Sequence, residues 1–186
     1  MATPRSALER YVQAKDTVQP QLMQEIFAPD ALLTYSIATD SISFPTRTVG
    51  LPAITNILVM EFSKRFAACK TYYVCEAAPL DEMTFARVPW LVVMREPAAA
   101  SLRIGKGYYE WRFAPLALVT AMHIHIDRMD AIPDPGGNLL SNCQAELPYP
   151  WLKPATLQAT YKRRAQANPA LAFLHDFEQP LSLPSH

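Results

Sequence analysis

The sequence predicts an α+β fold in which helices come first and an antiparallel sheet follows. Two observations carry that expectation. Up to Phe66 the apolar residues recur three and four apart, the period of a helix, with one short β-branched run between helices. From Lys70 the period falls to two in four successive runs, "KTYYVCEAA", "TFARVPWLVVMRE", "RIGKGYYEWRFA" and "VTAMHIHIDRMDAI", joined by short polar or proline-bearing connections. A third observation bounds the size: 186 residues suit one domain with a sizeable core.

Leu8, Tyr11 and Val12 share a face of a first helix, and Pro20 opens a second short one carrying Leu22, Met23, Ile26 and Phe27. "ALLTYSIA" then reads as a strand, followed by a polar loop with Pro45. "VGLPAITNILVMEFSKRF" is the clearest helix, with Gly50 before it, Pro52 in its first turn and Ile54, Leu58 and Phe62 four apart. Glu61 and Arg65 are expected to pair on its surface. In the second run of the sheet Pro89 cannot donate to a ladder, so a bulge or an open edge is expected there.

From Pro133 the composition shifts. "PDPGG" is a turn, "LPYPWLKP" is too proline-rich for a regular element, "ATLQATYKRRAQAN" makes an exposed helix and "ALAFLHDFE" a second short one. Residues 1–132 are thus one domain, and 133–186 an extension with one or two short helices packed on it.

Seventeen basic and seventeen acidic side chains balance without a run of either sign, which argues against a nucleic-acid or anionic-membrane partner. No stretch nears the roughly 20 apolar residues of a membrane span, and "MATPRSALERYVQAKD" lacks the apolar block of a secretory signal. Cys69, Cys75 and Cys143 are odd in number and lack CxxC spacing, so reduced thiols in a cytoplasmic protein are expected.

"AMHIHIDRMDAI" raises the question of a metal. Strand alternation puts Met122, Ile124 and Ile126 on one face and His123, His125 and Asp127 on the other. A half-buried sheet turns its apolar side to the core, so the imidazoles are expected outside, beside Glu110 and Arg112 of the preceding strand. His123 and Asp127 would lie about 13 Å apart along a strand, too far to share an ion. Neither a metal nor another cofactor is expected.

The order of elements resembles the nuclear-transport-factor-2-like (NTF2-like) superfamily, which includes the SnoaL-like cyclases, ketosteroid isomerase and scytalone dehydratase. "ALERYVQAKD" resembles the first-helix phrase of ketosteroid isomerase, "FAPDALLTY" the join into the first strand, and "VGLPAI" the start of the long helix; together the resemblance spans Ala7 to Ile132. It implies a cone: a strongly curved antiparallel sheet with three N-terminal helices over its concave face, holding a small apolar ligand, often with a sheet-on-sheet dimer across the convex face. Tyr11 falls where the isomerase has its oxyanion-binding tyrosine. The isomerase's base and its second oxyanion-hole group are aspartates, and Tyr35 and Tyr109 stand near those positions. Against the dehydratase, Tyr11 and Tyr35 resemble the paired tyrosines that hold a water, and the histidine base is replaced near Tyr73.

The expected site is therefore aromatic. Tyr11 and Tyr35 are the candidate catalytic residues, as donors to a carbonyl, and Tyr73, Trp90, Tyr109, Trp111, Phe113, Met122, Ile124 and Ile126 the candidate ligand-binding residues. Each is alternatively a plain core residue. The functional expectation is a SnoaL-like protein binding a small hydrophobic or polyketide-like molecule, with cofactor-free isomerase, cyclase or dehydratase chemistry or with none, and a homodimer through the convex face.

Overall fold

The computed structural model describes residues 3–79, 83–115 and 118–177. Helix α1, Pro4–Asp16, starts at a reciprocal cap: Thr3 Oγ1 accepts the Ser6 N–H and Ser6 Oγ accepts the Thr3 N–H. A 3-10 turn, Pro20–Glu25, leads into strand β1, Phe27–Ile37. The segment expected to be a polar loop contains a short strand, β2, Arg47–Val49, antiparallel to β1. Three residues with one buried side chain are too few to show a period.

Gly50, at φ +90°, precedes a continuous helix over 51–65 whose first part is α2, Leu51–Thr55, and whose last is α3, Phe62–Arg65. Between them Asn56–Glu61 is π-helical. The expected Glu61–Arg65 pair does not form. Lys64 bonds Glu61 at 2.6 Å, and Arg65 reaches across to Glu96 of the sheet at 2.8 Å.

Strands β3 (Ala67–Val74), β4 (Phe85–Glu96), β5 (Ser101–Phe113) and β6 (Val119–Pro133) form the antiparallel meander. The seven-stranded order is β2-β1-β6-β5-β4-β3-β7, β7 being Trp151–Leu152 in the proline-rich segment expected to be irregular. The whole sheet is mixed rather than antiparallel, because β1 pairs β6 and β3 pairs β7 in parallel. Alternation along a strand reports which face a residue occupies and is blind to the direction of the neighbour. Register shifts leave Thr120 and Asp127 as extra residues in β6, which bend the sheet. Pro89 opposes Tyr108 with no bulge, and the β3–β4 register ends at Trp90, just short of it.

Two cores lie on opposite faces of the sheet. The inner one joins the helices to the concave face, with Leu8, Tyr11, Leu33, Trp111 and Met122 among its buried members. The outer one packs Tyr72, Val74, Leu91, Val93, Leu102 and Ile104 against the C-terminal extension. There α4, Asn138–Gln144, takes backbone caps from the Asp134 carboxylate. Helix α5, Pro154–Ala167, was expected to be exposed, yet it buries Leu157, Thr160, Tyr161 and Ala165; the first, third and fourth of these fall at a four-residue spacing that marks a packing stripe. A 3-10 segment, Pro169–Phe177, completes the layer. Among the described residues no helix is long and apolar enough to cross a membrane.

Candidate functional site

The curved sheet and the N-terminal helices border a cavity of about 50 Å³. Helix α1 contributes Tyr11 and Lys15, one helical turn apart, to its wall. The segment between β1 and β2 adds Ile42 and Phe44, and the helix over 51–65 adds Leu58 and Phe62. The sheet supplies Tyr35, Trp90, Val92, Met94, Tyr109, Ile124, Ile126 and Met129.

Of the expected site residues, Tyr11, Tyr35, Trp90, Tyr109, Ile124 and Ile126 thus meet at the cavity. Tyr73, Trp111, Phe113 and Met122 are buried in the packed core beyond its wall. The Tyr73 hydroxyl donates to the Leu8 carbonyl at 2.9 Å, fixing α1 to β3. Trp111 packs edge-on against Tyr11, with ring centroids 5.1 Å apart.

Glycine shapes the floor. A Cβ on Gly107 would sit 1.9 Å from the His125 carbonyl oxygen and 2.8 Å from Trp90 Cζ2. Its absence lets the Trp90 indole lie against β5, where it stacks on Tyr109 at 5.5 Å. Tyr11 meets Tyr109 edge-on at 5.8 Å, and Tyr35 stacks flat on Phe44 at 4.8 Å.

Two polar atoms of this wall have no hydrogen-bond partner among the described residues: the Tyr35 hydroxyl and Trp90 Nε1. Tyr35 is 9% exposed and Trp90 4%. Burial pushes the Tyr11, Tyr35 and Tyr109 phenols well above their ordinary range, so all three keep their protons and act as donors rather than bases. The described wall has neither a carboxylate nor an imidazole.

Lys15 is the charged wall residue that sequence reasoning missed. Its ammonium, 5% exposed, donates to Asp16 Oδ1 at 2.6 Å, Thr71 Oγ1 at 2.7 Å and Cys69 Sγ at 3.3 Å, and lies 4.7 Å from the Phe62 ring centre. Burial alone would lower its pKa. Burial is the largest single influence, but the Asp16 carboxylate, Cys69 and Tyr11 together outweigh it, and the net shift is upward. Lys15 is a committed cation rather than an amine nucleophile. Asp16 in turn accepts from the Thr71 N–H at 2.7 Å and from the Tyr149 hydroxyl at 3.1 Å, tying the extension to the end of α1.

The histidines lie on the other face. His123 Nδ1 bonds Thr34 Oγ1 at 2.8 Å, its Nε2 bonds Ser36 Oγ at 2.9 Å, and Ser36 Oγ also reaches His125 Nδ1 at 2.7 Å. Tyr108 stacks on His125, and Glu110, directly across from His123, pairs with Arg87. Burial lowers the His123 pKa, against the opposing pull of Glu110. Among the described residues no three His, Cys, Asp or Glu side chains converge as a metal site.

No family model matches the sequence, and no curated protein does. Solved structures do match. An NTF2-like superfamily protein from Salmonella enterica superposes with a TM-score of 0.50 at 16% identity, over 63% of this chain and 84% of its own. A Δ5-3-ketosteroid isomerase from Mycobacterium sp. gives 0.52 at 15%, over 70% of this chain and 99% of its own. A Mycobacterium tuberculosis protein in complex with estradiol-17β-hemisuccinate gives 0.52 at 12%, over 66% and 93%. At such identities the likeness is one of fold.

Proposed function

On the premise that the chain has the NTF2-like fold, we propose that it binds a small, predominantly apolar molecule, of the ketone or polyketide type, in the hollow of its sheet. The observation that carries this reading is the pair of unpartnered donors, Tyr35 O–H and Trp90 Nε1–H, in a mainly apolar wall whose Lys15 is already engaged. Each buried donor left unsatisfied costs about 1–3 kcal/mol, which a ligand acceptor reaching it would recover. That two NTF2-like neighbours are a ketosteroid isomerase and a steroid complex supports an apolar guest.

Binding without turnover is the reading the wall favours. Its tyrosines hold their protons, and Lys15 is committed to Asp16, Thr71 and Cys69. A second reading rests on Tyr11 and Tyr35 both bordering the cavity as protonated donors, an arrangement able to polarise a carbonyl for cofactor-free isomerase, cyclase or dehydratase chemistry. That chemistry would also need a base, and the described wall supplies neither a carboxylate nor an imidazole. A homodimer through the convex face belongs to the proposal as well. The extension covers the β3–β5 part of that face, so the partner would meet the ladder of Thr34, Ser36, Tyr108, Glu110, His123 and His125.

Thermal unfolding with a panel of alkyl and aryl ketones tests the binding reading. A ligand at 100 times its Kd adds about 2.7 kcal/mol of stability, and Tyr35→Phe and Trp90→Phe each diminish that gain. Equal gains in the wild type and both variants, or none across the panel, would refute it.

A further inference from the structure

The inner cavity, about 50 Å³, is small beside the roughly 300–1,000 Å³ of ordinary ligand sites. Between the 43–45 span and the helix over 51–65 lies a groove of about 270 Å³ lined by Ser43, Pro45, Ile57, Glu61, Arg65 and Phe66. Cavity and groove have two wall residues in common, Phe44 and Phe62. These two rings stand where cavity and groove meet.

Each ring is held from within by a non-covalent contact. Phe44 stacks on Tyr35 with the planes 2° apart, and Phe62 lies against the Lys15 ammonium. Phe44 sits in a short span pinned on both sides: Arg103 Nη2 donates to the Ser41 carbonyl at 2.6 Å, and the Tyr35 N–H donates to the Thr46 carbonyl at 3.1 Å. Between these two anchors, Phe44 itself is held by its stack on Tyr35. Phe62 directly follows the π-helical turn; Leu58 and Phe62 line the cavity, and Ile57, Glu61 and Arg65, at the same four-residue spacing, line the groove. The groove's charges are already engaged, Glu61 by Lys64 and Arg65 by Glu96, so its free lining is apolar.

We infer that cavity and groove are two chambers of one binding site, joined when Phe44 and Phe62 part, and that the guest is an elongated uncharged molecule. Its acceptor end lies inside at Tyr35 and Trp90, and its apolar body passes between the two rings into the groove. This rests on the cavity reading above and adds the length, neutrality and route of the ligand.

The test is calorimetric titration of the full chain with the straight 2-alkanones from 2-butanone to 2-decanone. Affinity rises about three- to fourfold per added methylene well past the shortest members, the increment expected of a buried CH₂. Ser43→Trp, at an exposed groove position, abolishes that increment for the long ketones and leaves 2-butanone unchanged. Ile57→Trp repeats the block from the opposite wall. An increment that stops at the shortest ketones, or that persists in both groove variants, overturns the two-chamber site while leaving the inner cavity intact. Binding of no ketone at all overturns the cavity reading and this inference with it.

Discussion

Lys15 is a buried cation in the cavity wall, and its place in the sequence does not announce its burial. A lysine in the last turn of a helix ordinarily reads as a solvated charge complementing the helix end. Here it is buried because Thr71 and Cys69, more than fifty residues away, converge on it with Asp16. Lys15→Met leaves the Asp16 carboxylate buried without its cation and should cost about 3–5 kcal/mol in urea unfolding, with Asp16→Asn in the same chain recovering part of it. Tyr35→Phe behaves oppositely. It removes a hydroxyl that has no partner, so the ligand-free chain should be unchanged or up to about 1 kcal/mol more stable while ketone-induced stabilisation falls. His123 sets an acid limit. Its folded pKa lies below the ordinary 6.5, so at mildly acidic pH the unfolded chain binds the extra proton. Its contribution is intact above about 6.5 and is lost as pH falls through the lowered folded value; His123→Gln should flatten that part of a stability–pH curve.

Strand by strand, the sidedness of the sheet was legible. Met122, Ile124 and Ile126 look inward and His123 and His125 outward, because a period of two with strong polarity contrast fixes which face is buried. The same alternation fails beyond Asp127. That residue is the bulge in β6, so parity reverses and Met129, at an odd position like the histidines, enters the cavity wall. No local composition marks a bulge whose cause is the pairing with Lys106 and Gly107. Phe44 escaped notice for a related reason, since a lone aromatic in an irregular span has no period to place it. Gly107 gives the element-scale prediction. Alanine there would press a Cβ into the β6 backbone, which cannot yield as a side chain tip can, and equilibrium unfolding should show a loss of about 1–3 kcal/mol together with altered Trp90 fluorescence.

For the whole molecule, the second core changes what the convex face can do. Tyr72, Val74, Leu91, Val93, Leu102 and Ile104 are covered by the chain's own residues beyond 133, and Tyr149 and Trp151 reach back to Asp16 and Glu9 on α1. The proline-rich composition suggested an extension with short helices but not which face of the sheet it covers; its Leu, Tyr and Phe residues, spaced between the prolines, form the packing surface. A chain ending at Ile132 should expose that apolar patch and aggregate or self-associate in sedimentation, in contrast to the full chain.

The binding claim comes down to one proton, that on Trp90 Nε1. Of the three indoles, Trp151 already donates to Glu9 at 2.7 Å and Trp111 lies outside the cavity wall, so each serves as an internal reference. Titrating a short ketone into 15N-labelled protein should move the Trp90 indole N–H resonance downfield and leave the other two in place. A resonance of Trp90 that stays fixed while the protein binds the ketone would contradict the account.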